Sequence, residues 1–477
     1  MPRGEIFNFT FDNSTVYPGT VRKIAVYVPA QYTADKPACV YVGLDGLAFD
    51  APTVFDNLIA SREMPVTIAI GIDPGRVESG EPQHNPRFNR SVEFDALDDS
   101  LARLLLDEVF PEVERQRIAS GVRITLSKDP NDRAAGGMST GGIGAFTLAW
   151  ERPDAFRRVF TAIGTFVGMR GGDRYAVLVR KTEPKPIRIF MQDGSRDQLT
   201  DIIGEAGDWW LNNQTMHSAL KFAGYPVNQV WGEGSHDAKH AVAVFPDAMR
   251  WLWEGWPAPV TAGISQNVFL KEILIAGEGW HAVPTEDPVT QTLVGDGRGY
   301  VAESSDGRVY RTQTRSGSVW MHGQHGEEKL LDKGLDEPTG IALSPDGLWL
   351  AVSESKTHWG YSYRVLSDGT VCDKQKFYQF CVPDAADDSG AGGSVMDSDG
   401  RLYVATRMGV QVFDRNGRLR ALIPTPGGRT WNLQFDANHL EILCVLCADG
   451  RAYRRKLKAR GVASGSSPIV LPLGFAV

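Results

Sequence analysis

The pattern of hydrophobic and polar positions changes character near the middle of the chain. In the first half, continuous apolar runs at 38–42, 64–72 and 159–164 are separated by long amphipathic or polar stretches. Such runs are typical of inner strands in a parallel sheet that is covered on both faces. Apolar residues at helical spacing from Leu97 to Val113 predict a surface helix between them. The alternation of strands and helices predicts a doubly wound, mostly parallel α/β sheet.

The end of this first region is marked by three further strands and a closing helix. The strands are predicted at 21–29, 186–192 and 226–231. The helix is predicted at 245–256, and Pro257-Ala258-Pro259 then forms a stiff break. We therefore predict a first domain at 1–256 and a linker at 257–264.

From residue 265 to residue 477, short strands alternate with Asp-Gly turns, and the pattern repeats. Three copies and a weaker fourth lie at 294–302, 344–352, 397–405 and 435–443. A period of roughly 40 to 55 residues with about four strands in each unit is typical of propeller blades. We predict a second domain over 265–477 that is an all-β propeller of four to six blades.

The composition of the chain argues against two classes of binding partner, nucleic acids and membranes. The chain has 477 residues and a net charge of −8, so it lacks the basic excess that nucleic-acid binding requires. No apolar stretch reaches the length of a membrane span, and the first residues contain no signal-peptide core. We expect a soluble protein without membrane or nucleic-acid partners: cytoplasmic if this start is native, secreted or periplasmic if a leader has been removed. Its oligomeric state stays open.

Two of the five cysteines, Cys444 and Cys447, form a C-x-x-C pattern. They fall within Leu440 to Cys447, which has the composition of a strand. An odd separation on a strand directs the two side chains to opposite faces, so the pair cannot chelate one metal ion. Buried free thiols are the predicted state.

Candidate chemistry begins with the only G-x-S-x-G in the chain, Gly137-Met138-Ser139-Thr140-Gly141. A nucleophilic serine needs a tight strand-to-helix turn, and flanking glycines allow that turn. The small residues that follow let an amphipathic helix lie close to the sheet, with its N-terminus toward the anion formed in acyl transfer. Ser139 is therefore the predicted nucleophile.

An acid and a base follow in the expected chain order. Asp197 lies in the turn 193–197 and His236 in the turn 232–237, each after a predicted strand. Nucleophile, acid and base in this order are typical of α/β hydrolases. Asp193 is the competing acid and His240 the competing base.

Other residues complete the predicted site. The backbone N–H groups of Leu47 and Thr140 are the predicted oxyanion donors, with Asp45 in the glycine-containing turn before Leu47; a simple turn is the alternative. Asp45, His84, Trp209 and Trp210 are candidates for the substrate pocket. For the tryptophans, the alternative is that Asp208 caps a helix whose first turn buries one of them.

Residues 15 to 256 resemble the esterase branch of α/β hydrolases that contains enterochelin esterases, esterase D, and feruloyl and acetylxylan esterases. The resemblance rests on 44–46, 137–142, 193–197 and 234–236. Many members carry His-Gly at the oxyanion loop, where this chain has Asp45-Gly46. The resemblance implies a serine carboxylesterase that needs no metal or other cofactor, with Ser139, Asp197 and His236 as its triad. The expected substrate is a small-molecule or carbohydrate ester, such as one bearing acetyl or feruloyl groups.

The repeats resemble the gluconolactonase, or senescence-marker-protein-like, propeller family at 286–288, 337–342 and 392–397. Members of that family bind a divalent cation with Glu, Asn and Asp ligands. Glu286 matches the glutamate, but Thr339 and Gly392 stand where asparagine and aspartate are usual. One carboxylate and a hydroxyl are too few ligands for a hard cation, so we expect a non-catalytic propeller with Glu286 as a vestige. Lactonase activity in the propeller, or a glycan- or protein-binding module, is the alternative.

Overall fold

The computed structural model describes residues 2–81, 83–198, 204–294 and 299–471. The chain separates into two compact units. The first unit comprises the chain up to Arg180 together with Pro184–Ile264, and the second comprises Lys181–Glu183 and the chain from Ser265 onward.

The first unit is built on one eight-stranded sheet. Its strands are β1 Glu5–Phe11, β2 Arg22–Val28, β3 Cys39–Leu44, β4 Thr67–Ile72, β7 Arg133–Met138, β8 Arg158–Ala162, β9 Arg188–Arg196 and β10 Val227–Ser235. A separate two-stranded ribbon contains β5 Arg76–Val77 and β6 Arg87–Phe88. The sheet order is β1-β2-β4-β3-β7-β8-β9-β10. β1 and β2 pair antiparallel with their neighbours, and all later pairs are parallel. This topology confirms the predicted α/β-hydrolase fold.

Helices cover the sheet: α1 Ala51–Ala60, α2 Arg90–Phe94, α3 Ser100–Arg103, α4 Phe110–Arg115, α5 Thr140–Glu151, α6 Arg174–Lys181, α7 Trp209–Phe222 and α8 Ala238–Trp253. The predicted helix over 97–113 is present in segments, with a π-helical stretch at Leu104–Val109 between α3 and α4. Pro111 has no backbone N–H, so it cannot donate the hydrogen bond that would continue an α-helix through this segment. This accounts for the wider π-helical turn at Leu104–Val109.

The prediction that the helix after Ser139 is amphipathic is wrong. Every residue of α5 from Thr140 to Trp150 is buried. The sheet lies on one side of α5 and helices α2 and α3 contact it as well. A helix that is apolar on all sides is stable only when it is covered on all sides.

The predicted turns at 193–197 and 232–237 are largely strand. β9 continues through Asp193 to Arg196, and β10 continues to Ser235, with a register shift between Gly232 and Ser235. Gly194 lies against the backbone of Gly234, so a side chain at Gly194 would collide with it. Because neither glycine has a side chain, β9 and β10 remain close to each other as far as their last residues.

Residues 257–264, predicted as a linker, belong to the first compact unit. Asn131 fastens them: its Nδ2 donates to the carbonyl oxygens of Pro257 and Ala258, at 3.1 and 3.3 Å, and its Oδ1 accepts from the N–H of Val260 at 2.9 Å. Asn131 is buried, so these hydrogen bonds are shielded from water.

The second unit contains two short helices, α9 Val268–Ile273 and α10 Pro288–Val294, and sixteen strands within the described residues. The strands are β11 His281–Val283, β12 Val301–Glu303, β13 Val309–Gln313, β14 Ser318–His322, β15 Glu328–Lys333, β16 Pro338–Leu343, β17 Trp349–Glu354, β18 Trp359–Val365, β19 Val371–Gln379, β20 Ser394–Met396, β21 Leu402–Thr406, β22 Gly409–Phe413, β23 Leu419–Ile423, β24 Thr430–Phe435, β25 Ile442–Cys447 and β26 Ala452–Lys456.

These strands form four four-stranded antiparallel sheets. Three contain consecutive strands, β12–β15, β16–β19 and β20–β23. The fourth has the order β11-β26-β25-β24, so the first strand of the unit pairs with the last. One blade therefore contains strands from both ends of the unit, and this shared blade closes the propeller. The propeller prediction is confirmed, with four blades in the described part of the chain.

The C-x-x-C cysteines occupy β25, as predicted. Both thiols are free and buried. Cys444 packs with Val283 and Leu293, whereas Cys447 packs in the main core of the propeller. Burial raises the pKa of the Cys444 thiol to about 12, so it stays protonated and inert at neutral pH.

Among the described residues, the helices are too short or too polar to cross a lipid bilayer.

Candidate active site

Ser139 stands alone between β7 and α5, with φ 58° and ψ −122°. This left-handed backbone is costly for a residue with a side chain and is characteristic of functional turns. The turn is fastened on both sides, because the N–H of Ser139 donates to the carbonyl oxygen of Ala162 at 2.9 Å and its carbonyl oxygen accepts from Thr165 at 3.1 Å. The side chain is only partly buried. The geometry is that of a nucleophile elbow.

His236 and Asp197 converge on this serine. His236 Nε2 lies 2.9 Å from Ser139 Oγ, and His236 Nδ1 lies 2.5 Å from Asp197 Oδ1. The Asp197 side chain is fully buried, and that of His236 is 17% exposed. Asp197 Oδ1 also accepts from the N–H of Gln198 at 2.6 Å. A hydroxyl, an imidazole and a buried carboxylate in this sequence of contacts can pass a proton from the hydroxyl to the ring.

The competing residues occupy other places. His240, on α8, has its Nδ1 3.0 Å from Gln192 Nε2, and no contact between His240 and Ser139 occurs among the described residues. Asp193 lies behind Asp197, and it is completely buried. Burial and the neighbouring Asp197 carboxylate raise the pKa of Asp193 to about 9. Asp193 and Asp197 are only four residues apart in the sequence, so the sequence alone could not decide which of them is the acid that contacts the histidine.

The predicted oxyanion donors belong to neighbouring strand ends. Leu47 follows β3 and Thr140 follows β7, and these two strands pair in parallel through Gly43 and Gly136. In the described part of the chain, neither the Leu47 N–H nor the Thr140 N–H donates a hydrogen bond to the protein. Their role as oxyanion donors stays a prediction.

The loop that carries Leu47 is held in an unusual conformation. Asp45, Gly46, Phe49 and Asp50 all have positive φ. The N–H groups of Asp45 and Gly46 both donate to the carbonyl oxygen of Ile72, at 3.1 and 3.2 Å. These bonds attach the loop to the end of β4 and compensate for its backbone strain.

An ion pair fixes the same loop from the other side. Arg90 binds Asp45 bidentately, with Nε 2.8 Å from Oδ1 and Nη2 2.7 Å from Oδ2. Arg90 is the first residue of α2, and α2 is anchored by Glu93, which forms a fully buried bidentate pair with Arg22 of β2. Asp45 thus serves to position the loop in this structure.

The predicted pocket residues divide into three cases. Trp209 is fully buried and meets the His236 ring edge-to-face, with 5.8 Å between ring centroids. Trp210 packs edge-to-face on Trp231 at 5.4 Å. Asp208 caps α7 by accepting from the N–H of Leu211 at 2.9 Å, which matches the alternative considered for these tryptophans. His84 is exposed, and its backbone forms hydrogen bonds with Glu81 and Ser79 of its own loop; its role stays a prediction.

Sequence reasoning missed three neighbours of the site. Thr165 places its Oγ1 3.4 Å from Ser139 Oγ. Asp95, at the end of α2, is buried near Thr140, and burial raises its pKa. Arg90, whose pairing with Asp45 is described above, directly follows the long loop 73–89. For Arg90, the sequence offers one indication of a role at the site: it is a charged residue at the end of a long loop that follows a strand.

The propeller residues that match the cation ligands of the gluconolactonase-like family do not fit a cation site. Thr339 is buried, and its Oγ1 donates to the carbonyl oxygen of Ala391 at 2.7 Å. Gly392 has no side chain, and its Cα faces the carbonyl oxygen of Trp431. Glu286 is exposed. Over the described residues, no three His, Cys, Asp or Glu side chains form a group that could hold a metal ion.

Comparisons with known proteins agree with the two units. The family described as "Putative esterase" matches residues 15–255, and the family described as "SMP-30/Gluconolactonase/LRE-like region" matches residues 292–449. The iron(III) enterobactin esterase of Dickeya dadantii (strain 3937) is 29% identical over 164 residues, which are 31% of this chain and 34% of the relative. The match therefore spans about a third of the length of that curated relative.

Solved structures are similar to each unit separately. A ferulic acid esterase covers 53% of this chain and 98% of its own, at 15% identity and TM-score 0.40. The enterobactin esterase from Shigella flexneri covers 53% of this chain and 61% of its own, at 18% identity and TM-score 0.38. A gluconolactonase from Xanthomonas campestris covers 33% and 56%, at 26% identity and TM-score 0.29. Because these TM-scores are below 0.5, the family matches carry the assignment.

Proposed function

Since this chain belongs to the esterase family that matches residues 15–255, we propose that it hydrolyses carboxylic esters through a covalent acyl-enzyme on Ser139. The observation that carries the proposal is the 2.9 Å contact between His236 Nε2 and Ser139 Oγ, continued from His236 Nδ1 to Asp197. A serine hydroxyl is a weak nucleophile unless an adjacent base takes its proton.

In the first half of the reaction, Ser139 Oγ attacks the ester carbonyl carbon while His236 Nε2 accepts the hydroxyl proton. The resulting imidazolium donates through Nδ1 to Asp197, whose buried carboxylate stabilises that charge and holds the tautomer. Collapse of the tetrahedral intermediate transfers the proton from His236 to the departing alkoxide. The second half repeats these steps with water as nucleophile, releasing the acid and restoring Ser139.

The oxyanion of each intermediate is assigned to the N–H groups of Leu47 and Thr140. Thr140 is the first residue of α5, so the positive end of the helix dipole adds to its donor. Each such donor is worth about 100- to 1000-fold in kcat in well-studied hydrolases. Asp45 contributes by holding its loop through Arg90, and Thr165 lies within reach of Ser139 as a further polar neighbour.

The proposed substrates are esters of small molecules or carbohydrates, with acetyl or feruloyl acyl groups as the first candidates. By its name, the Dickeya dadantii relative is an esterase of iron(III) enterobactin. Trp209 packs on the His236 ring, and Trp210 packs on Trp231 of β10. Trp209 is fully buried, so it shapes the wall behind His236, and we do not assign it direct contact with substrate.

For the propeller we propose a non-catalytic role. The hydroxyl of Thr339 is engaged with Ala391, and Gly392 offers no ligand atom. A lactonase of the gluconolactonase type is the second candidate, favoured only by the family match over residues 292–449. Lactonase activity that requires a divalent cation, survives Ser139→Ala and is lost in Glu286→Gln would establish the second candidate in place of the first.

The test compares the full-length protein with Ser139→Ala on p-nitrophenyl acetate, a feruloyl sugar ester, an acetylated sugar and an aldonolactone. We expect hydrolysis of at least one ester, with kcat reduced at least 10⁴-fold in Ser139→Ala. An unchanged rate in Ser139→Ala, on an ester that the wild-type protein hydrolyses, contradicts the proposal.

A further inference from the structure

Behind the Asp197 carboxylate lies a second acid, Asp193, that the proposed reaction does not use. Both side chains are fully buried. Asp193 Oδ1 accepts from the N–H of Gly194 at 2.6 Å, and Asp197 Oδ1 accepts from Gln198 and faces His236. The second oxygen of each group, Oδ2, is buried, and no N–H or O–H donor of the described residues reaches it.

A buried carboxylate oxygen without a donor is costly, and two of them side by side are more costly still. The Asp193 and Asp197 side chains are close enough to share a hydrogen bond if one of them is protonated, and the proximity of Asp197 helps to raise the pKa of Asp193. One proton placed between them satisfies both orphaned oxygens at once. It also removes the repulsion that two adjacent buried charges would create.

The position of the proton follows from the other contacts. Asp197 Oδ1 faces two donors, His236 Nδ1 and the N–H of Gln198. Among the described donors, Asp193 accepts only from the N–H of its neighbour Gly194, and Asp208, the N-cap of α7, adds another negative charge nearby. Asp193 is therefore the group that keeps the proton.

We propose that Asp193 is a positioning residue: as a neutral carboxylic acid it donates a hydrogen bond to Asp197 Oδ2 and so fixes the carboxylate that orients His236. This inference rests on the proposed function of Ser139, His236 and Asp197. The donated bond prevents the Asp197 carboxylate from rotating away from Nδ1.

The inference has a specific pH dependence. Burial beside Asp197 raises the pKa of Asp193 from 3.8 to about 9, so the donated proton is present below that pH and is lost as the pH rises through about 9. Among the described residues, the titratable groups near Asp193 are Asp197 after β9, Asp208 at the N-cap of α7, His236 beyond Asp197, and His240 of α8 through Gln192. Ionisation would place a second buried charge beside Asp197 and disrupt its contact with His236.

The experiment compares full-length wild type, Asp193→Asn, Asp193→Ala and Asp197→Asn, assayed for ester hydrolysis from pH 5 to 11, with Ser139→Ala as the blank for spontaneous hydrolysis. Asparagine donates from Nδ2 and accepts at Oδ1, as the neutral acid does, but it cannot ionise. We expect Asp193→Ala to lower kcat/KM about 10- to 100-fold at pH 7 and Asp193→Asn to recover most of that loss. The decline of wild-type activity near pH 9 should be absent in Asp193→Asn.

Thermal unfolding provides a measurement that does not depend on activity. A proton held only by the folded state stabilises it less as the pH rises from about 4 to about 9. The Tm of Asp193→Asn should therefore rise relative to that of the wild type as the pH increases through this range. A Tm difference that is constant with pH contradicts the inference even if Asp193→Ala fails to fold.

Two further outcomes are decisive. If Asp193→Asn loses as much activity as Asp197→Asn, then Asp193 acts as a charged group and the inference is wrong. If Asp193→Asn keeps the alkaline decline of the wild type, a titrating Asp193 is likewise excluded. If either result is found and Ser139→Ala is inactive, only the inference about Asp193 fails and the proposed function stands. If Ser139→Ala is active, the proposed function itself is wrong.

Discussion

Gly194 and Gly234 lie against each other at the ends of β9 and β10, and a Cβ on Gly194 would collide with the backbone of Gly234. This approach brings together the two strand ends from which Asp197 and His236 emerge. We expect Gly194→Ala to separate them and to lower kcat at least 100-fold, because small displacements of catalytic groups are costly. Steady-state kinetics on an active ester measures this effect.

Gly279→Ala is the matched control, because a Cβ at Gly279 meets nothing within 4 Å. It should leave kcat within twofold of the wild type. Equal kinetics in Gly194→Ala and Gly279→Ala would show that the glycine contact does not position the triad.

Gly71 supports the oxyanion loop in a similar manner. A Cβ on Gly71 would lie 2.5 Å from the backbone nitrogen of Leu47. Gly71→Ala should therefore displace the proposed Leu47 donor and reduce kcat about 100- to 1000-fold, with little change in KM. A loss confined to KM would indicate a binding role for this loop and would contradict the assignment of Leu47 as an oxyanion donor.

The backbone of Ser139 predicts a stability effect that is independent of catalysis. Its φ of 58° is unfavourable for any residue with a Cβ, so Ser139→Gly should be more stable than Ser139→Ala by about 1 kcal/mol. Denaturant unfolding of the two inactive variants measures the difference.

Ser61, with φ −80°, is the control position. There Ser61→Gly should be no more stable than Ser61→Ala. The strain interpretation fails if both positions show the same preference.

The buried pair of Arg22 and Glu93 should dominate the stability of the segment that carries Arg90. Both side chains are completely inaccessible to solvent. Glu93→Gln leaves the Arg22 charge buried without its partner, so we expect a loss of about 3–5 kcal/mol in the free energy of unfolding. The exposed pair of Arg76 and Glu78 is the comparison, and Glu78→Gln should cost less than about 1 kcal/mol. Similar losses in the two variants would contradict this account.

The α/β sheet, the propeller and the convergence of three distant residues could be predicted because each has a local pattern. Inner strands are continuous apolar runs, blades repeat, and Ser139 and His236 each lie in a glycine-rich stretch after a strand. Their meeting follows from the topology, since parallel strands of such a sheet end at one edge.

What could not be predicted depends on side chains that meet only in the folded chain. Arg90 and Asp45 are far apart in sequence, and nothing in either local pattern indicates their pairing. Asp193 and Asp197 lie in one five-residue segment, so only the fold shows that Asp197 faces His236 and Asp193 stands behind it. The full burial of α5 was missed for the same reason, because its covering helices come from 90–103.

The central claim is that Ser139, activated by His236, is the nucleophile. The most direct measurement is peptide mapping by mass spectrometry after treatment with a fluorophosphonate, on wild type, Ser139→Ala and His236→Ala. We expect one adduct, on the peptide that contains Ser139, in parallel with loss of ester hydrolysis; none in Ser139→Ala; and labelling slowed at least 100-fold in His236→Ala. An adduct on another residue that abolishes activity, or full labelling of Ser139 in His236→Ala, would contradict the account.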